Sequence, residues 1–369
     1  MALNTLLNSL GTKNFEKDDL NNFYKYCPNH TYIPTILPPQ KRIIVIGDLH
    51  GDLDLTLRCL RLAQVIDNNL NWIGNNTVVV QTGDKIDGCR PMQNVNNCRM
   101  DLNSYEDYNA DDDIKILELF YNLHKKAVKA GGAVYSLLGN HELMNVEGNL
   151  KYVSKKALEE FADYDDGIIN FKEKFAYLSK VDRGIVARKY AFKPGNKWAT
   201  FLACTNIGCI IIGSFLFVHA GIVPEFINEL GIKTNKDLVK INYLVRLWLL
   251  NLIEKEKINK IISDKGLFWD RILASMPNDT TNKHDVCKKY LDPVLKLFNV
   301  GNMVIGHTPQ FLKNINSSCS GKLWKIDVGA SKAFKNYDNY VVNNGLNKHN
   351  LRDAQVLEIL DDKIIRVLR

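Results

Sequence analysis

Residues 43–52, with the sequence Ile-Ile-Val-Ile-Gly-Asp-Leu-His-Gly-Asp, indicate how this chain folds. The first four are apolar and β-branched, a composition typical of a strand that is buried on both faces of a sheet. The run ends at Gly47, and apolar residues then recur at helical spacing from about residue 53 to residue 64. A buried strand, a polar loop and an amphipathic helix form the repeating unit of layered α/β proteins.

The same unit recurs along the chain, and we therefore expect an α/β (α+β) fold. Apolar runs of strand length follow at 77–81, 134–138, 210–218, 303–305 and 323–326. A helical period spans 113–130, and a closing hairpin is expected from 356–359 and 364–367. The charged stretch at about 150–205 predicts a helical cap or insertion.

The composition excludes several classes of protein. Of the 369 residues, 46% are hydrophobic and 24% are charged, values that are ordinary for a globular protein and unlike those of disordered or collagen-like chains. The net charge of +7 is spread along the chain without the basic stripe that is typical of nucleic-acid binders. The apolar run at 207–223 is shorter than the roughly 20 residues of a transmembrane helix and includes His219, which favours buried strands.

The eight cysteines lack the spacing of a structural zinc site. Cys59, Cys204 and Cys209 lie in apolar runs, where a free cysteine packs as a small hydrophobic residue. The chain does not open with a basic segment and a long apolar stretch, so we expect no signal peptide. Reduced thiols in an intracellular, cytoplasmic protein are the expectation that follows.

Five predicted strands are followed directly by side chains that commonly bind metal ions. These side chains are Asp48, His50, Asp84, Asn140, His219 and His307. Because ligand sites in α/β sheets lie beyond the carboxyl ends of the strands, all six can converge. Carboxylate, amide and imidazole ligands without a thiolate favour Mn, Fe or Zn. Two ions about 3.5–4 Å apart, sharing Asp84, would hold a phosphoryl group and activate a water molecule.

A single aspartate or histidine after a strand is more often a helix cap or a hydrogen-bonded structural residue than a ligand. His30, His124, His284 and His349 are interpreted in that way. Five ordered motifs, each placed after a predicted strand, form a much more specific signal.

Together the motifs resemble those of the calcineurin-like metallophosphoesterases, in their phosphoprotein phosphatase branch. The matching blocks are Gly47 to Gly51, Gly83 to Gly88 and Gly139 to Glu142, followed by His219 and His307. The segments LLGNHELMN at 137–145, FVHAGI at 217–222 and VIGHTPQ at 304–310 are most similar to the Shewanella-like protein phosphatases. The resemblance covers about residues 41–334 and implies a central β-sandwich flanked by helices.

The resemblance also implies a role for each matching residue. The first metal ion would be bound by Asp48, His50 and Asp84, and the second by Asp84, Asn140, His219 and His307. A hydroxide that bridges the ions would attack phosphorus, and His141 would protonate the leaving oxygen. Asp87 would orient His141, with a turn-forming role before Gly88 as the alternative for this aspartate.

One position departs from the family pattern, which has arginine after this aspartate where the present chain has Gly88. A phosphate group still needs a cation that can donate two hydrogen bonds. Arg271, in a Trp-x-Arg segment similar to that of the Shewanella-like enzymes, is the preferred candidate, and Arg90 is the second. A solvated surface position is the alternative for each arginine.

We therefore expect a dinuclear metal-dependent phosphatase whose substrate is a protein or peptide carrying phosphoserine, phosphothreonine or phosphotyrosine. The main alternative is phosphoanhydride hydrolysis of the diadenosine tetraphosphatase type, on dinucleoside polyphosphates or capped RNA. A non-catalytic adaptor is less favoured, because it would not need His141 and the complete ligand set. The catalytic domain is expected at 41–369 after an extension at 1–40, with an insert at about 91–112 beside the active site.

Overall fold

The computed structural model describes residues 3–9, 14–91, 98, 110–278, 285–335, 337–338 and 352–369. Within these residues the strands are β1 (Ile36–Leu37), β2 (Arg42–Ile46), β3 (Val78–Gln81), β4 (Ala133–Leu137), β5 (Asn206–Ile207), β6 (Cys209–Ile212), β7 (Phe215–Val218), β8 (Asn302–Ile305), β9 (Asn316–Ser318), β10 (Leu323–Lys325), β11 (Val356–Leu360) and β12 (Ile364–Leu368). The helices are α1 (Leu3–Ser9), α2 (Phe15–Tyr26), α3 (Leu53–Leu62), α4 (Asp113–Lys129), α5 (Asn140–Val146), α6 (Lys155–Glu159), α7 (Phe171–Lys174), α8 (Lys180–Phe192), α9 (Lys197–Thr205), α10 (Pro224–Leu230), α11 (Lys236–Leu249) and α12 (Asp292–Phe298).

The described strands form two six-stranded sheets. One has the order β12-β11-β2-β3-β4-β5, and the other has the order β1-β6-β7-β8-β10-β9. In the first sheet Ile44 pairs with Val79 and Val79 with Val134, all in parallel register, so three apolar runs lie side by side. The closing hairpin expected from the sequence is β11 and β12, in which Glu358 pairs with Arg366.

The two sheets pack face to face. Ile43 and Val45 of β2 belong to the same buried cluster as Ile210 of β6 and Phe217 of β7, and all four are fully buried. Side chains alternate between the faces of a strand, so the residues between these point to the outer faces of the sheets. The expected α/β class and β-sandwich are therefore confirmed.

Helices cover both outer faces of this sandwich. On the first sheet, Ile44 belongs to a buried cluster with Leu60 of α3 and Phe120 of α4. On the second sheet, Ile211 belongs to a cluster with Leu244 of α11. Because both faces of the central strands are covered by apolar side chains, the strands require the continuous apolar runs that the sequence shows.

The stretch expected to be a helical cap contains α6, α7, α8 and α9. Helix α8 lies so close to α6 that a Cβ atom on Gly184 would be 1.9 Å from the carbonyl oxygen of Leu158. The insert expected at 91–112 lies mostly outside the described residues. The domain limits at 1–40 and 41–369 stay predictions, although β1, from the first of these segments, pairs with β6.

The apolar run at 207–223 forms buried strands, as expected. Its central part folds as the antiparallel pair β6 and β7, in which Ile210 pairs with Phe217. None of the described helices is both long enough and apolar enough to cross a membrane.

The expectation of reduced thiols is wrong for six cysteines, which form the disulfides Cys27–Cys204, Cys89–Cys98 and Cys287–Cys319. The apolar surroundings of Cys204 predict a free thiol, yet the fold brings its Cα atom to 5.5 Å from that of Cys27, 177 positions away in the sequence. Cys59 and Cys209 are free and buried, as expected. A cytoplasmic location, which was expected on the basis of reduced thiols, stays a prediction.

Candidate metal centre

The six side chains expected to bind metal ions converge beyond the carboxyl ends of the strands. Each has an exposed fraction of 5% or less, and the set comprises Asp48, His50, Asp84, Asn140, His219 and His307. Three of them, His50, Asp84 and His307, have positive φ angles of 46°, 54° and 66°. Such backbone is strained for residues other than glycine, and strain of this kind is typical of functional sites.

Asp84 lies at the centre of the cluster. Its Oδ2 atom is 3.3 Å from Nε2 of His219, 4.0 Å from Nε2 of His50 and 3.9 Å from Nε2 of His141. Its other oxygen, Oδ1, accepts the backbone N–H of His141 at 2.9 Å. One carboxylate oxygen is thus held by the backbone of α5, and the other faces three imidazole rings.

Backbone carbonyl groups determine which nitrogen of each histidine is protonated. Nδ1 of His219 lies 2.8 Å from the carbonyl oxygen of Thr82, and Nδ1 of His50 lies 3.3 Å from that of Ile86. Nε2 of His307 lies 3.1 Å from the carbonyl oxygen of Trp269. A carbonyl oxygen can only accept a hydrogen bond, so each of these nitrogens carries the proton. The opposite nitrogen of each ring therefore keeps a lone pair for a metal ion.

The surroundings of Asn140 provide a test of whether a cation fits. Its Oδ1 atom lies 2.9 Å from Nε2 of His219 and 2.8 Å from Nδ1 of His307, the two nitrogens that keep lone pairs. Three lone-pair atoms at such distances repel one another unless a cation lies among them. Ligands about 2.1 Å from one ion are separated by about 3 Å, so the residues fit a bound metal.

The environment of Asp48 also fits a bound cation. Its Oδ2 atom accepts the backbone N–H of His307 at 2.9 Å, whereas its buried Oδ1 atom has no hydrogen-bond partner among the described residues. Burial, together with the charges of Asp327 and Asp84, raises the pKa of Asp48 well above its usual range. A cation beside these carboxylates would favour their charged form.

Two glycines leave room for these carboxylates. A Cβ atom on Gly306 would lie 2.3 Å from Oδ1 of Asp48, and one on Gly139 would lie 2.2 Å from Oδ1 of Asp84. Glu142 braces the loops, because its carboxylate accepts the backbone N–H groups of Asp84, Lys85 and Gly139 at 2.7–2.9 Å. The space that we expect metal ions to occupy thus depends on Gly139, Gly306 and Glu142, which are not themselves ligands.

His141 differs from the other histidines in its partner. Its Nδ1 atom lies 2.8 Å from the Oδ2 atom of Asp87, which is a carboxylate oxygen rather than a carbonyl oxygen. A carboxylate that accepts from Nδ1 fixes the orientation of the ring and leaves Nε2 free for another partner. Asp87 also has a positive φ of 71° before Gly88, so it occupies a turn as well as contacting His141.

Two sets of donors have ligand atoms within 4.8 Å of one another: His50, Asp84 and His141 form one, and Asp84, His219 and His307 form the other. Both contain Asp84, and the first contains His141 where the sequence prediction has Asp48. Residues 41–311 match the family model described as calcineurin-like phosphoesterase. The chain belongs to the calcineurin-like phosphoesterase family.

Two relatives extend this assignment. An uncharacterized protein of Acanthamoeba polyphaga mimivirus is 38% identical over 266 residues, which cover 68% of this chain and 97% of the relative. Shewanella-like protein phosphatase 2 of Arabidopsis thaliana is 30% identical over 323 residues, which cover 81% of this chain and 74% of the relative. The resemblance to Shewanella-like protein phosphatases is confirmed, and the chain is a phosphoester hydrolase of a metal-dependent family.

The fold is similar to that of solved phosphatase structures. A cold-active protein-tyrosine phosphatase of a psychrophilic Shewanella species has a TM-score of 0.58 and 20% sequence identity, with 92% of this chain and 83% of that chain covered. Another structure of a cold-active protein tyrosine phosphatase, at 1.1 Å, has a TM-score of 0.60 and 21% identity, covering 92% and 82% of the two chains. These similarities concern the fold.

Both candidate arginines of this phosphoesterase lie beside the cluster. Arg271 is exposed and donates from Nη1 to Oγ1 of Thr308 at 3.0 Å, next to His307. Arg90 is partly buried and donates from Nη1 to the backbone oxygen of Asp87 at 2.9 Å. Arg90 lies two residues after Gly88, and its side chain folds back to contact the motif that lacks the usual arginine.

Aromatic rings border the same site. The ring of Tyr152 lies 5.0 Å from that of His141, and the ring of Phe334 lies 5.4 Å from that of His50. The guanidinium of Arg90 is 5.3 Å from the Tyr152 ring and 4.5 Å from the Phe334 ring. Neither aromatic residue was predictable as part of the site, because neither belongs to one of the five motifs.

Proposed function

We propose that this phosphoesterase is a phosphoprotein phosphatase that uses two metal ions. The observation that supports this most directly is the pairing of His141 with Asp87 beside a cluster in which His50, His219 and His307 surround Asp84. A carboxylate such as Asp84 can bind two metal ions at once. An adjacent imidazole oriented by a carboxylate, as His141 is by Asp87, can protonate a leaving oxygen.

In this proposal the ligands are those expected from the sequence. One ion would be held by Asp48, His50 and Asp84, and the other by Asp84, Asn140, His219 and His307. Such ions neutralise phosphoryl oxygens and increase the acidity of water, and the oxygen and nitrogen donors suit Mn, Fe or Zn. The carbonyl groups that bind the outer nitrogens of the histidines keep each ring in the tautomer that ligation requires.

His141 donates the proton that the leaving oxygen needs. Its Nδ1 atom is paired with Asp87, so Nε2 is the nitrogen from which the proton would be given. Asp87 holds the ring in the orientation from which Nε2 can give a proton to the leaving oxygen. Arg90 and Arg271 bind the phosphoryl oxygens from two sides, and Arg90 compensates for the absence of arginine at position 88.

Among the three phosphorylated residues, phosphotyrosine fits the site best. The rings of Tyr152 and Phe334 border the metal centre and provide flat apolar contacts for the aromatic group of the substrate. A solved protein of the same fold is named as a protein tyrosine phosphatase. Phosphoserine and phosphothreonine offer no ring for such contacts. The bases of a dinucleoside polyphosphate could stack on the same two rings, so the experiment below includes such a substrate.

The test measures how fast the 369-residue chain hydrolyses each of four substrates. After EDTA treatment and reconstitution with Mn²⁺, hydrolysis is measured on phosphotyrosine, phosphoserine and phosphothreonine peptides of one sequence and on diadenosine tetraphosphate. We expect chelation to abolish activity, Mn²⁺ to restore it, and the phosphotyrosine peptide to have the highest kcat/KM. Full activity in excess EDTA would overturn the metal requirement, and faster hydrolysis of the dinucleotide would support the anhydride hydrolase.

His141→Ala separates proton donation from metal binding. We expect kcat to fall by about 10²–10⁴-fold, the range for loss of general acid catalysis, with metal content measured by mass spectrometry unchanged. Loss of metal together with activity would identify His141 as a ligand. The metal measurement is needed because the Nε2 atom of His141 lies only 3.9 Å from Oδ2 of Asp84.

A further inference from the structure

Arg188, in the middle of α8, is a buried charge close to the proposed proton donor. Its exposed fraction is 0%, and its Nη2 atom donates to Oδ2 of Asp113 at 2.7 Å. The guanidinium also packs against two aromatic rings, 5.3 Å from that of Phe161 and 5.2 Å from that of Phe192. A charge that is removed from water in this way is costly unless it is paired and hydrogen-bonded.

The bonds of Arg188 extend beyond one ion pair. Its Nε atom donates to Oδ1 of Asn145 at 2.8 Å, and its Nη2 atom is 3.7 Å from Oδ1 of Asp87. Asn145 in turn donates from Nδ2 to Oδ1 of Asp87 at 2.8 Å and to the backbone oxygen of His141 at 2.9 Å. Asp113 accepts the backbone N–H of Asp87 at 3.1 Å through Oδ1. Asn145 and Asp113, the two residues that accept hydrogen bonds from Arg188, are therefore both hydrogen-bonded to Asp87 as well.

Arg188 holds the oxygen side of the Asn145 amide, and Asp87 accepts from its NH₂ group. Because an arginine can only donate, the side-chain oxygen of Asn145 must face Arg188, and its NH₂ group must then face Asp87. Without Arg188 the buried side-chain oxygen of Asn145 loses its donor, and a buried acceptor without a donor is costly. A shift of Asn145 that relieved this cost would weaken its bond to the oxygen of Asp87 that is not bonded to His141.

We propose that Arg188 is a positioning residue for proton donation, acting through Asn145 and Asp113 on Asp87 and thereby on the His141 ring. The proposal rests on the proposed function, because it assumes that His141 protonates the leaving oxygen. An ion pair that only stabilised the fold would need Asp113 alone. The observed bonds instead connect a helix of the 150–205 segment to two parts of Asp87, its backbone N–H through Asp113 and its side-chain oxygen Oδ1 through Asn145.

The dependence of the rate on the leaving group distinguishes positioning from stability. Phenolate is a poor leaving group and needs a proton, whereas p-nitrophenolate leaves with little assistance. We expect Arg188→Lys, which keeps the charge but cannot bond to Asn145 and Asp113 in the same fork geometry, to lower kcat for phenyl phosphate by about 10²-fold. The kcat for p-nitrophenyl phosphate should fall by less than about 5-fold, with KM and metal content unchanged.

Arg246→Lys is the matched control. Arg246 is also a buried helical arginine, with an exposed fraction of 4%, and it pairs with Asp19 remote from the metal ligands. We expect this variant to keep the wild-type ratio of the two rates, even if its stability falls.

Should Arg188→Lys fail to fold, Asn145→Leu tests the same link without changing a charge and should show the same dependence on the leaving group.

The outcomes separate this proposal from the proposed function. Equal loss of both rates, or no loss of either, in a folded and metal-loaded Arg188→Lys protein would overturn the positioning role. Wild-type protein that hydrolyses neither ester after metal loading would instead overturn the phosphomonoesterase activity. A larger loss on phenyl phosphate in both the Arg188 and Asn145 variants, absent from the Arg246 variant, supports the positioning role.

Discussion

Restoring the arginine that the family usually has at position 88 should destabilise this protein. A Cβ atom on Gly88 would lie 1.9 Å from the carbonyl oxygen of Ala110 and 2.5 Å from its carbonyl carbon. Ordinary contacts of a Cβ atom begin at 3.4 Å, so the backbone at Ala110 would have to move by more than 1 Å. The φ angle of Gly88 is not positive, and the obstacle is therefore steric.

The smallest form of this perturbation is Gly88→Ala, whose cost follows from two contributions. Forcing extra atoms into packed structure costs about 1–3 kcal/mol. Moving Ala110 also breaks the hydrogen bond from its N–H to the carbonyl oxygen of Gly88, 2.9 Å long, which contributes about 1 kcal/mol. We therefore expect Gly88→Ala to lower the free energy of unfolding by about 2–4 kcal/mol, and Gly88→Arg to lower it at least as much without raising kcat/KM.

Urea unfolding followed by tryptophan fluorescence measures this change. Gly301→Ala is the control, because its Cβ atom would meet nothing closer than 3.8 Å and its φ is not positive. We expect the control to stay within about 0.5 kcal/mol of wild type. A Gly88→Ala protein as stable as the control would refute the reasoning, since Ala110 could not then lie against Gly88.

The packing of the thiols, the metal ligands and the aromatic rings leads to three further predictions. Thiol titration should detect no reactive cysteine in the native protein and two after denaturation without reductant, because burial raises the pKa of Cys59 and Cys209 to about 12; fast labelling of the native protein would contradict this. Gly306→Ala should weaken Mn²⁺ binding by about 10-fold or more in calorimetric titration, because the added methyl group displaces the Asp48 carboxylate; unchanged affinity would show that Asp48 is not a ligand. Tyr152→Leu should lower kcat/KM for the phosphotyrosine peptide by about 5-fold or more and leave that for the phosphoserine peptide unchanged, and equal effects would argue against a ring contact.

Much of the metal centre was predictable because its residues lie at fixed positions after buried strands. The apolar run before Gly47 identifies a strand, and the two-residue spacing of Asp48 and His50 places both at its end. The structure brings them together with Asp84 as expected. This inference succeeds because parallel pairing brings the carboxyl ends of the strands to the same edge of the sheet. That alignment does not depend on which side chains the strands carry.

The residues that support the site were not predictable in this way. Asn145 belongs to a motif segment but lies inside α5 and does not directly follow a strand, and Arg188 lies 43 positions further along in a segment without a motif. The pairing of Cys27 with Cys204 also escaped prediction, because apolar neighbours indicate burial but not the partner. Neither local spacing nor composition encodes contacts over such separations.

The sequence by itself determined the succession of strands and helices, the donor types at the strand ends and the family, since these depend on short patterns of hydrophobicity and spacing. The tertiary structure alone decided which histidine nitrogens face the cluster, why residue 88 must be glycine, and how Arg188 reaches Asp87. The physical reason is that hydrogen bonding and steric exclusion act over a few ångströms between atoms that only the folded chain brings together.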